Sequence, residues 1–185
     1  HNLVNSRGSI TKDGPYQSGY GAYVLGSDTS TFLGTEFDNT TYGLVFAGSG
    51  ADVVIGPSSK ENLDRRLGPD SLLAAETNGF ADVAEKNSVF HCNRNAAMFH
   101  GCMEGPKPSR LDVQPGTELS TGGATFVVKC EGRTMPDGKK ALGTAPEITV
   151  TGAKIENNGV LLHFMESDDA GMGEHGFDKH WAEYY

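Results

Sequence analysis

The chain is short of the residues that staple a fold or carry it through a bilayer. Its 185 residues hold three cysteines, Cys92, Cys102 and Cys130. That is enough for one intramolecular disulfide and a leftover thiol, which excludes a disulfide-dense scaffold and a four-cysteine zinc site. No apolar run approaches the roughly 20 residues that a membrane-spanning helix needs. Positive charge is scarce too: 15 Lys and Arg stand against 24 Asp and Glu, for a net charge of −9. With no basic stripe, a nucleic-acid backbone would be repelled, while a neutral or cationic partner stays open. The chain also lacks an initiator methionine and a leader-like apolar stretch. Those two absences predict the processed form of a secreted, extracellular protein. No G-x-S-x-G elbow, phosphate-binding loop, H-E-x-x-H or C-x-x-C-H motif is present.

Glycine is plentiful, at 25 residues, whereas charged residues make up 21% and aromatics 9%. Such a composition suits short strands joined by many turns. Apolar residues, at 37%, are too frequent for a disordered chain. Strands are predicted over 20–25, 42–46 and 51–55, bounded by Gly, Ser and Asp turn chemistry. Residues 58–78 break the pattern. Ser58 or Ser59 caps a short helix that Gly68-Pro69 ends, and Asp70 caps a second turn ending at Asn78-Gly79. Further strands are predicted over 88–92, over 125–130 with Phe126 and Val128 on one face, and over 147–151. Asp137-Gly138 offers a turn. Asn158-Gly159 carries a hairpin signal, followed by a nearly all-apolar strand over 160–165 expected to be buried on both faces. The predicted architecture is mostly β and a single domain over 1–185: an antiparallel β-sandwich, Ig/FnIII-like or a jelly roll, with a helical insertion around 58–78.

His1 is the residue with the most distinctive chemistry. An N-terminal histidine offers one metal two nitrogens, its α-amine and its ring Nδ1. A free α-amine has a pKa of about 7.7–8.0, so freeing it near neutrality costs little. A further imidazole completes a tetragonal three-nitrogen set, which favours Cu(II). His100 and His91 are the candidates for that third nitrogen. A disulfide between Cys92 and Cys102 would stiffen the segment carrying them, although pairing of either cysteine with Cys130 is equally open. His163, inside an apolar strand, reads as a hydrogen-bonded core residue. A second cluster of acids and histidines, including Glu174, His175 and His180, lies between 166 and 180. The sequon Asn39-Thr40-Thr41 would accept a glycan only in a eukaryotic secretory route.

The start His1-Asn2-Leu3-Val4, in a β-rich chain with later histidines, resembles the histidine brace of lytic polysaccharide monooxygenases and related secreted copper proteins. The resemblance covers the terminus and the composition, not the pattern around the second ligand. It implies a mononuclear copper protein, with a polysaccharide as substrate for oxidative cleavage. His1 and either His100 or His91 would be its ligands, Tyr184 the axial aromatic and Glu174 the acid. The rival expectation is a non-catalytic extracellular β-sandwich: a subunit of an assembly or filament, or a carbohydrate-binding module.

Overall fold

A computed structural model of the chain describes residues 20–25, 29–47, 50–100, 107–130, 133–134, 136–138, 140–141, 144–157 and 159–166. Its strands wind around a three-sided coil. The first side is built from β1 (Tyr20–Leu25), the later part of β3 (Glu36–Ala47), the later part of β5 (Ser88–His100), β8 (Phe126–Cys130) and β13 (Leu162–Glu166). The second side holds β2 (Thr29–Leu33), β4 (Asp52–Gly56), β6 (Arg110–Val113) and β11 (Glu147–Val150). The third takes the early parts of β3 and β5 with β7 (Thr117–Thr121) and β12 (Lys154–Asn157). The first and third sides are one curled seven-stranded sheet, a half-barrel, because β3 and β5 bend from one side into the other.

Every pairing in these two sheets is parallel, which overturns the expected antiparallel β-sandwich. Each strand pairs with the strand one circuit later, and parallel neighbours need just such a long connection. The circuit through the other two sides supplies it. The hairpin expected at Asn158-Gly159 is likewise absent, since β12 pairs with β7 and β13 with β8. Gly159 has another cause: a Cβ there would lie 2.7 Å from the Gly123 carbonyl oxygen of the rung below. The expected turn at Asp137-Gly138 does form. Gly138 has φ +78°, between β9 (Arg133–Thr134) and β10 (Lys140–Ala141), the one antiparallel pair among the described residues.

Two corners of the coil explain much of the local sequence. Where the second side turns into the third, Gly34, Gly116 and Gly152 stand at the corners of the three circuits without the helical insertion, all at positive φ, a conformation that costs glycine alone little. Beside this corner the buried Ser88 hydroxyl donates to the Gly56 carbonyl at 2.7 Å and accepts from the Thr35 amide at 3.0 Å. The helical insertion leaves the coil here, after Gly56. Ser59 caps α1 (Lys60–Leu67) by accepting from the Asn62 amide, and Gly68 ends it. The second helix, α2 (Leu72–Glu76), is capped by Ser71 rather than the expected Asp70. Leu63, Ala74 and Phe80 pin the insertion down, packed by Leu33 and Val83.

Apolar residues of all three sides meet inside the coil: Leu44, Phe46 and Phe99 from the first, Val53, Ile55 and Leu111 from the second, Phe37, Phe90 and Leu119 from the third. Rings stack from circuit to circuit, with Phe46 on Phe99 at 4.4 Å and Phe37 against Phe90 at 4.7 Å. A second buried cluster gathers Tyr42, Val45, Met98, Ala124 and Val127. Burial on both faces explains the unbroken apolar runs Leu44-Val45-Phe46 and Phe126-Val127-Val128. The run at the end of the coil has the opposite fate. Val160, Leu161, Leu162 and Phe164 are all at least 41% exposed, against the expectation of a strand buried on both faces.

Candidate functional site

The third side of the coil turns alternate residues outward, and the register aligns them. Asp38, His91, Ser120 and Glu156 form one row across four strands. Glu36, Val89, Glu118 and Lys154 form the next. Strand spacing of about 4.8 Å makes each row roughly 14 Å long. The inward partners Phe37, Phe90, Leu119 and Ile155 fix this orientation by packing into the core.

An open cavity of about 240 Å³ lies on these rows, lined by His91, Glu118, Leu119, Ser120, Lys154 and Glu156. Lys154 Nζ sits 3.1 Å from Glu156 Oε1 and 3.8 Å from Glu118 Oε2. The hydrogen bond to Glu156, then the charges of Glu156 and Glu118, raise the Lys154 pKa above its ordinary value. The ammonium is therefore held charged between two carboxylates. All three side chains are well exposed, so solvent screening keeps the pairs weak. Asn87 Nδ2 also approaches Glu118 Oε1, at 3.5 Å.

Of the residues singled out in the sequence, His91 is exposed and lines this cavity. His100 ends β5 on the first side, in register between Ala47 and Lys129; its side chain lies outside the described set. His100 stands nine positions after His91 along β5, about 30 Å of strand taken around a corner. One mononuclear centre can therefore use only one of them. His1, Glu174 and Tyr184 lie outside the described residues, as do Cys102, His175 and His180. Among the described residues no three His, Cys, Asp or Glu side chains are grouped to hold a metal ion.

Cys92 is a buried free thiol. It accepts a hydrogen bond from Thr40 Oγ1 at 3.3 Å and belongs to the core cluster. Burial pushes its pKa up to about 11. The stiffening disulfide invoked for His100 thus finds no support at Cys92. His163 stands in register with Val127, half-buried.

Sequence reading missed Glu118, Ser120, Lys154 and Glu156. The available signal was the alternation in Thr117–Thr121 and Lys154–Asn157, which puts polar residues two apart on one face. Comparison with protein-family models, with curated proteins and with solved structures gave no match for the chain.

Proposed function

We propose that the chain is a non-catalytic subunit of an extracellular assembly, in which two copies meet end to end through the β13 rung. The observation that carries this reading is the contrast between the ends of the coil. At the first rung the inward side chains are covered: Phe37 is 0% exposed, Phe32 6% and Val24 7%. At the other end Leu162 is 41% exposed, Phe164 64% and Val150 39%. Among the described residues β11, β12 and β13 each pair on one edge only. An apolar strand edge with unused backbone donors and acceptors is a template for another strand. β1 and β2 also pair on one edge only among the described residues, but the inward side chains beneath them are covered, so the two exposed ends join rather than copies stacking head to tail. Two copies sharing the same end make a closed, two-fold contact rather than a filament.

Sedimentation velocity over a concentration series tests this. The native chain should pass from monomer to dimer, and Phe164→Asp should stay monomeric while melting like the native monomer in dilute solution, because the side chain is exposed. A native chain that is monomeric throughout, or one that grows beyond a dimer, contradicts the reading.

A second reading keeps one specific support. His91 presents an exposed imidazole beside an open cavity, so a copper centre made with the amine and ring of His1 would take its third nitrogen from His91 rather than His100. In that case a polysaccharide would be the substrate for copper-dependent oxidation. The residues would bind Cu(II) with an axial spectrum in electron paramagnetic resonance. His91→Ala, or one glycine added before His1, should then abolish that spectrum while His100→Ala leaves it intact.

A further inference from the structure

We propose that the outward face of the third side binds a neutral, linear oligosaccharide laid along the coil axis, across Glu36 to Lys154 and Asp38 to Glu156. This face runs up to β12 in the last rung, but its groups point outward and all belong to one copy, so binding does not require dimerisation.

Three observations carry it. The first is donor and acceptor variety in one cavity: two carboxylates, an ammonium, an imidazole and a hydroxyl. Sugar hydroxyls both donate and accept, so they can use every one of these groups, carboxylates accepting and Lys154 donating. The second is size. About 240 Å³ is below the 300–1,000 Å³ typical of drug-sized ligands, which suits a single ring with neighbouring rings lying along the rows. The third is charge. With Lys154 Nζ 3.1 Å from Glu156 and 3.8 Å from Glu118, the place a divalent cation would take between the carboxylates is already filled by an ammonium. An anionic glycan would meet Glu36, Asp38, Glu118 and Glu156 on a chain of net charge −9. Neutral hydroxyls escape both penalties. No Phe, Tyr or Trp ring among the described residues lines the cavity, so binding rests on hydrogen bonds at an exposed surface, and the affinity should be weak.

The test is amide-resolved NMR titration of the full chain with neutral β-linked gluco-, chito- and mannooligosaccharides, beside an oligogalacturonate and calcium chloride. Saturable shifts at His91, Ser120 and Glu156 with at least one neutral series are expected. The longer oligomers should bind more tightly than the monosaccharide. Glu118→Gln with Glu156→Gln should weaken binding tenfold or more, whereas Phe164→Asp should leave it unchanged. Melting curves establish that the double variant folds. No saturable shift with any neutral series overturns the proposal. So does tighter binding of the oligogalacturonate, or calcium shifting the same amides in place of sugar.

Discussion

In the curled sheet β8 and β13 lie side by side, with Phe126 next to Leu162 and Val128 next to Phe164. Their exposures nevertheless differ widely. Phe126, Val127 and Val128 are at most 3% exposed, while Leu162 and Phe164 reach 41% and 64%. Both strands carry apolar residues at the same register positions. What differs is the neighbour: β8 lies between β5 and β13, and β13 has β8 alone among the described residues. In a coil the core exists only between rungs, so burial belongs to a residue's place in the stack more than to its type.

The largest expected effect contrasts two phenylalanines. Phe99 is fully buried and stacked on Phe46. Phe99→Ala should cost about 3–5 kcal/mol in urea unfolding, as large cavities do. Phe164→Ala should shift stability by about 0.5 kcal/mol or less, measured where the chain is monomeric. Equal losses would erase the distinction between the rungs.

Next comes Gly43, inside the bend of β3. A Cβ there would lie 2.6 Å from the Ala96 carbonyl oxygen and 2.9 Å from the Phe90 ring. Neither has room to retreat, so Gly43→Ala should destabilise by about 1–3 kcal/mol, as overpacking does. Gly138, with nothing within 4 Å of its Cβ position, tests the open region: Gly138→Ala should show only the smaller strain of its positive φ.

A third comparison uses pH. Burial raises the Cys92 thiol from 9.0 to about 11, so the unfolded chain loses that proton first. The stabilisation is complete below pH 9 and should fall as pH rises from 9 towards 11. Cys92→Ser or Cys92→Ala should flatten that limb of the stability profile. In the folded protein the thiol should also resist alkylation near neutral pH.

The smallest effect belongs to the Arg110–Glu147 pair near the open end, 2.7 Å apart and more than half exposed on both sides. Glu147→Gln should change stability by less than about 1 kcal/mol, with the difference shrinking in salt.

Local chemistry was legible in the sequence and pairing was not. The strand at Tyr20–Leu25, the helix between Ser59 and Gly68 and the strand at Phe126–Cys130 follow from alternation, caps and turn residues, all of which act within a few positions. Alternation says which side chains face inward, but not which strand lies alongside or in which direction it runs. A glycine that turns a corner, such as Gly159, therefore looks like a hairpin signal. The coil's repeat is hidden because the insertion between β4 and β5 separates paired strands that elsewhere lie much closer in sequence. The candidate site shows the same division. His91 was recognisable by its chemistry, whereas Glu118, Ser120, Lys154 and Glu156 come together only through the parallel register.

The most direct test of an unfinished last rung is hydrogen exchange, followed by mass spectrometry at several protein concentrations. The β8 amides should be protected at every concentration, and those of β13 should exchange fast in dilute solution and slow as the chain dimerises. β1, at the covered end, should not respond to concentration. Protection of β13 equal to that of β8 in dilute solution, or slowing at β1 instead, would contradict the account.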